Sequence, residues 1–289
     1  MPPPRRISAV IPSYNRPDFL RRVLLSLAVQ TRPVDEVVIT DDGSSVDVPS
    51  GIADVLPDLL CPVAFVRQGD EGFRAAKCRN NGIRAATGDY LIFGDQDIVL
   101  DPSYVERFAR QARPRQFLVG FPVRLDAAET ARVTDAMVRE GTVAQLASPA
   151  EVRLVRKQFR KDLWYRLLHA GRLRPIGPKL RSGVFGAWRA DLLEVNGFDE
   201  EYRGWGNEDD NLGLRLHRAG IRGRNIFHSV LTVHMYHPPH HDDGRRANAG
   251  YHARQLEAIR RGATRARHGV TDPLGGDESS TTILHQPGR

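Results

Sequence analysis

The chain has 289 residues, enough for one large domain or two small ones with a buried core, and a formal charge of +7 that comes mostly from arginine. That charge points to an anionic ligand, an anionic surface or a mere excess of arginine. Two cysteines without metal-type spacing, Cys61 and Cys78, exclude a disulfide framework, and no stretch reaches the roughly 20 apolar residues of a membrane span. The opening MPPPRRISAVIPSY has no apolar region of signal-peptide length. The expected setting is therefore cytoplasmic, with peripheral attachment at the inner face of a membrane also compatible with the charge.

Residues Ile7 to Pro12, ISAVIP, form a short apolar run of the kind that makes a buried parallel strand, and SYNRP breaks it. From Pro17 to Gln30 the spacing of Leu20, Val23, Leu24 and Leu27 predicts a helix with one apolar face. DEVVIT is a second buried strand, running into Asp41, Asp42, Gly43 and Ser44. Strand, helix, strand is the unit of an open parallel sheet, in which ligands sit beyond the carboxyl ends of the strands. Pro12 to Asn15 and Asp41 to Ser44 would both lie there.

CPVAFVRQ is a third short strand, and GDEGFRAAKCRNNGIRAATGD places Ala75, Cys78, Ile83 and Ala86 at helical spacing despite its glycines. Neither GxGxxG nor GxxxxGK[ST] occurs in it, against a dinucleotide or P-loop site. An apolar strand from Tyr90 to Phe93 then delivers Asp95 and Asp97 at the sheet edge. Two such carboxylates could bind Mg²⁺ or Mn²⁺ with a diphosphate, or could form a turn rich in aspartate. From 101 to 150 the chain reads as a helix, a strand around FLVGFPV and a polar helical segment, with no evident chemistry. Glu151 to Arg181 is densely basic, with Phe159, Trp164 and Tyr165 interleaved. A solvated helix with buried aromatics, a nucleic-acid surface and a membrane-facing or phosphate-facing arm all fit it.

SGVFGAWRADLLEVNGFDEEY gives a small-residue strand, a helix from Arg189 to Val195 and a glycine turn, followed by GWGNEDDNLGLR, Gly204 to Arg215. Asn207 reads as a helix N-cap, with Glu208, Asp209 and Asp210 in the first turn and Leu212, Leu216 and Ala219 on one face. Acidic residues belong at a helix start, but three carboxylates exceed what a cap requires, and Gly204 and Gly206 bend the chain around Trp205. RNIFHSVLTVHMYHPPHH ends a strand in four histidines, and His234 and His237 are three apart. A histidine there could complete a metal site begun by Asp97, whereas His240 and His241 read as solvent-exposed. Residues 263–289 lack apolar periodicity and are expected to be a disordered tail.

VIPSYNRPDFLRRVLLSL, VVITDDGSS and LIFGDQD, followed by FGAWRADLLEVNGFDEEYRGWGNEDDNLGLRLHRAG and the later histidines, resemble the family 2 nucleotide-sugar glycosyltransferases. The C-terminal part looks like the catalytic module of the β-1,4-galactosyltransferases. The resemblance implies a GT-A fold, an α/β architecture with an open, mostly parallel twisted sheet flanked by helices. It implies one domain over 1–262, with a nucleotide-sugar half at about 5–103, a basic helical insert at about 104–181 and an acceptor half at about 182–240. Carried over by position, it places Pro12, Tyr14 and Asp42 at the nucleoside and Arg79 near the diphosphate. Asp95 falls toward the ribose, and Asp97 with His234 or His237 at a metal, Mn²⁺ or Mg²⁺. Trp205, Gly206 and Glu208 fall near donor sugar and acceptor, and Asp209 at the catalytic base.

The activity so implied is inverting, metal-dependent transfer of a hexose or N-acetylhexosamine from a UDP-sugar to a saccharide, lipid-linked or small-molecule hydroxyl. A helix N-terminus keeps Asp209 ionised but makes it a weak base. A metal-dependent nucleotidyltransferase would also use Asp95 and Asp97 but leaves GWGNED unexplained; a nucleic-acid-binding protein accounts only for the basic segment, and no nucleic-acid partner is expected. Sequence does not set the oligomeric state.

Overall fold

The structure, a computed structural model, describes residues 3–171, 173, 177–226, 231–238, 248–276 and 278–287. The first half alternates as expected: β1 (Ile7–Ser13), α1 (Pro17–Ala28), β2 (Glu36–Asp41), α2 (Val48–Ile52), β3 (Val63–Arg67), α3 (Ala75–Ala85) and β4 (Tyr90–Gly94). A middle part follows, with β5 (Ile98–Val99), α4 (Tyr104–Gln111), β6 (Gln116–Val119), β7 (Val123–Arg124), α5 (Ala127–Ala131), α6 (Asp135–Glu140) and α7 (Pro149–Ala170). The last part holds β8 (Val184–Trp188), α8 (Arg189–Glu194), α9 (Glu208–Arg218), β9 (Arg222–Asn225), β10 (Val233–His234), α10 (Ala249–Arg260) and β11 (Ser280–His285).

Eight strands form one sheet in the order β11-β3-β2-β1-β4-β8-β6-β9. β3, β2, β1 and β4 are mutually parallel, as buried apolar strands joined by helices must be. β8 runs antiparallel to both neighbours. Alternate residues divide between two cores: Ile7, Ala9, Ile11, Tyr90 and Ile92 face α1 and α4, while Val10, Leu91 and Phe93 face α3, α8 and α9. Gly82 lets α3 lie directly on the sheet, since a Cβ there would come 2.3 Å from Val10 Cγ1.

Three short strands, β5-β10-β7, make a second sheet at the end of β4. Its register pairs His234 with Ile98, and the Met235 amide donates to the Asp97 carbonyl at 2.9 Å. A stretch 136 positions further along the chain is thereby brought to the aspartate pair.

Two expectations change. The tail is not without structure: β11 pairs antiparallel with β3 across the sheet edge, and the Val270 amide bonds to the Asn196 carbonyl. STTILH lacks a periodic signal because an edge strand in solvent needs none; the exposed main chain of β3 supplies the partner. In α7 only Val155 and Asp162 are buried, and Trp164 stands in solvent rather than in a core. His240 and His241 lie outside the described residues.

Candidate active site

A cavity of about 510 Å³ opens beyond the carboxyl ends of β1, β2 and β4. It is lined by all twelve residues singled out from the sequence: Pro12, Tyr14, Asp42, Arg79, Asp95, Asp97, Trp205, Gly206, Glu208, Asp209, His234 and His237. Strand ends and one helix start therefore converge on a single space, as the parallel topology requires.

On the β1–β2 side, Asp42 accepts the Arg74 backbone N–H at 2.8 Å and the Gln68 side-chain amide at 2.5 Å. Burial raises its pKa to about 6 against those donors. The amide oxygen of Gln96, between the two aspartates, accepts from the Tyr14 backbone N–H at 2.9 Å, and its amide nitrogen returns to the Tyr14 carbonyl at 3.1 Å. Gln96 thus fastens the loop after β1 to the end of β4. It was not singled out from the sequence, where the middle residue of an Asp-x-Asp pattern carries no chemical signal.

Arg79 is buried at the cavity floor. One terminal nitrogen lies 2.8 Å from Asp95 and the other 3.6 Å from Glu208, and the guanidinium sits 5.6 Å over the Phe198 ring. Its Nε and Nη1 have no hydrogen-bond partner. Arg79 joins the aspartate pair to the acidic helix start, a connection its position in CRNNGI does not announce.

Opposite, Asp97 meets both histidines: His237 Nε2 is 2.9 Å from one carboxylate oxygen and His234 Nε2 is 3.7 Å from the other. One ligand atom from each of the three lies within 4.8 Å of the others. Burial works to raise the Asp97 pKa, but the His237 hydrogen bond and both imidazoles hold it below its usual value. That hydrogen bond raises the His237 pKa in turn. His237 Nδ1 lies 2.9 Å from the Pro238 carbonyl, so with Nε2–H donating to Asp97 both ring nitrogens face acceptors; loss of the Nε2 proton would free that nitrogen as a ligand while Nδ1–H stays held by the carbonyl. Asp97 Oδ1 is buried and accepts no hydrogen bond. A buried carboxylate flanked by two imidazoles, with one oxygen left without a hydrogen bond, fits a divalent cation. Sequence left a choice between His234 and His237; the structure brings both to Asp97.

The same cavity is also lined by the start of α9. Gly204, Gly206 and Asn207 all have positive φ, 75°, 101° and 76°, so the chain turns sharply and sets Trp205 at the cavity. Asn207 occupies the N-cap position, but its side chain makes no cap hydrogen bond, which corrects the expectation that it caps in the usual way. The three carboxylates separate by surroundings. Glu208 is buried toward Arg79, and burial, then repulsion from Asp209, push its pKa up to about 7. Asp210 pairs with Lys179 at 3.0 Å. Asp209 accepts the backbone N–H groups of Asp210 and Ser182, yet burial and the Asp210 charge raise its pKa above the ordinary carboxylate value. Asp209 is accordingly a stronger base than a helix N-terminus alone would make it.

Residues 8–162 match the family model described as Glycosyl transferase family 2, just over half of the chain.

The chain belongs to glycosyl transferase family 2.

Residues 163–241 match a second model, described as N-terminal domain of galactosyltransferase. Among named relatives of this family 2 member, the validoxylamine A glucosyltransferase of Streptomyces hygroscopicus subsp. jinggangensis is 31% identical over 236 residues, 74% of the chain and 52% of the relative. The chondroitin synthase of Escherichia coli is 29% identical over 252 residues, 81% of the chain and 35% of the relative. The chain thus spans about half the length, or less, of these relatives. Among solved structures, S. aureus TarS 1-349 in complex with UDP-GlcNAc superposes with a TM-score of 0.61 at 16% identity, covering 92% of this chain and 68% of that one. The mannosyltransferase PcManGT of Pyrobaculum calidifontis, in complex with GDP-Man and Mn²⁺, superposes at 0.55 and 19% identity, covering 89% and 65%. The fold is of the GT-A type. In this family 2 chain Arg215, to which the sequence assigns no role, is fully buried. It donates to Asn211 Oδ1 and to the carbonyls of Val195 and Gly197 at 2.6–2.8 Å, which fixes α9 against the loop after α8.

Proposed function

We propose that this glycosyltransferase moves a hexose or N-acetylhexosamine from a UDP-linked donor to a hydroxyl of a saccharide, lipid-linked or small-molecule acceptor, with inversion at the anomeric carbon. The observation that carries the reading is the pairing, across one cavity, of the Asp97, His234 and His237 cluster with Asp209 as a pocket-facing carboxylate of raised pKa. The complexes of TarS with UDP and UDP-GlcNAc support a UDP-sugar donor, and the names of the relatives support both small-molecule and polysaccharide acceptors. Residues 5–103 would supply the nucleotide half and 182–240 the acceptor half.

Asp97, His234 and His237 would hold the cation. Two imidazoles beside one carboxylate favour Mn²⁺ over Mg²⁺, which prefers oxygen. The bound ion would neutralise charge on the leaving diphosphate as a Lewis acid. Asp42, Tyr14 and Pro12 would hold the nucleoside, Asp95 would face the ribose, and the guanidinium of Arg79, whose Nε makes no hydrogen bond, would meet the diphosphate. Asp209 would take the proton of the acceptor hydroxyl while the acceptor oxygen bonds to the anomeric carbon and the electron pair of the breaking bond leaves with the diphosphate. Glu208 lies 3.6 Å from Arg79 and Asp210 pairs with Lys179, which supports Asp209 as the base; with no second carboxylate acting as a nucleophile, the reading is inversion.

Replacing Asp209→Asn should lower transfer by about 10²–10⁴-fold and leave UDP affinity within about threefold. Transfer within about tenfold of the parent would remove Asp209 from the role of base.

A further inference from the structure

The 22 residues of α7 carry two unlike faces. One packs toward β7 and β9 through Val155 and Asp162, and Asp162 lies 3.4 Å from Arg181, which lines the cavity. On the opposite side the helical period aligns Arg153, Arg156, Lys157 and Arg160 with Leu163, Trp164 and Leu167. All seven are exposed. Trp164 is 59% exposed, Leu167 52% and Leu163 42%, and Leu173, just past the helix, 79%. None of the four basic residues is paired with a carboxylate among the described residues. The outer face thus begins as a cluster of uncompensated cations and ends as an apolar cluster around a tryptophan.

We infer that this face docks on an anionic lipid bilayer. The four cations meet lipid phosphates, Trp164 settles at the headgroup level with its apolar body inward, and the leucines enter the acyl boundary. A single-stranded RNA would use the cations and the indole but would leave three exposed leucines against water, which favours lipid. No helix among the described residues is long and apolar enough to cross a membrane, so the attachment is interfacial and reversible. Through Asp162 and Arg181 the docked helix is tied directly to a wall of the cavity. The docking stands independently of which sugar or acceptor the enzyme uses.

The test is flotation of the full chain with vesicles of pure phosphatidylcholine and with vesicles containing about 30% phosphatidylglycerol. Binding to the anionic vesicles should be at least about tenfold stronger, and should weaken several-fold when NaCl rises from about 0.1 M to about 0.5 M. The double variant Arg156→Glu with Arg160→Glu should lose about tenfold or more, as should Leu163→Ser with Leu167→Ser, while both keep the melting temperature and the donor-hydrolysis rate of the parent. Equal binding to the two vesicle types, no binding, or undiminished binding by either variant overturns the inference. Retention of a poly(U) oligonucleotide in preference to anionic vesicles also overturns it, in favour of a nucleic-acid surface.

Discussion

Glu208 shows how much a neighbourhood changes one side chain. In sequence it is the first of three acidic residues at a helix start; in the fold it is the buried partner of Arg79, with a pKa of about 7 against an ordinary value of 4.5. Between those values the folded chain keeps a proton that the unfolded chain has released. The stability this provides is complete below about pH 4.5 and is lost as the pH rises through about 7. Glu208→Gln mimics the protonated form, so its melting temperature relative to the parent should be about 2–6 °C more favourable at pH 8 than at pH 5. A relative shift that does not change with pH would show that Glu208 is ionised throughout. At this scale the sequence revealed the side chains that line the cavity, because carboxylates and histidines at strand ends and helix starts are conspicuous. It did not reveal their partners: Gln96, Gln68, Lys179 and Arg215 act through contacts distant along the chain, and nothing local marks them.

Elements were legible where burial imposes a period. β1, β2 and β4 carry unbroken apolar runs and α1 apolar residues at a spacing of 3.6, and the structure places them as read. The two-residue strands β5, β7 and β10 carry no period at all, yet they bring His234 to Asp97. β11 escaped notice for the same reason. The contact of α3 with the sheet was also hidden, because a glycine inside a helix reads as a weakness rather than a point of close approach. Gly82→Ala gains helix propensity but drives a Cβ to 2.3 Å from Val10 Cγ1 and 2.9 Å from Thr40 Cγ2. Denaturant unfolding should show a net loss of about 1–3 kcal/mol. A neutral or stabilising change would mean that α3 can lift off the sheet without penalty.

Over the whole molecule, the charge of +7 is not a diffuse property. Part of it, Arg79, Lys179 and Arg181, lines the cavity, and another part covers the outer face of α7. Composition could not separate these two uses, since Lys179 and Arg181 read as part of the same basic segment as the cations of α7. The cavity itself was foreseeable from topology, as ligands of open α/β sheets gather at the carboxyl ends of the strands. That the same cavity brings together the Asp97, His234 and His237 cluster and Asp209 is the basis for proposing metal-dependent transfer from a nucleotide sugar. The direct test is UDP release from UDP-sugars, with and without acceptor, measured for the parent in Mn²⁺ and in EDTA and for Asp97→Asn in Mn²⁺. The expected result is turnover by the parent that falls by at least about 10²-fold in EDTA, returns on adding Mn²⁺, and is lost to a similar extent in Asp97→Asn. Turnover unchanged by EDTA and by Asp97→Asn would contradict it.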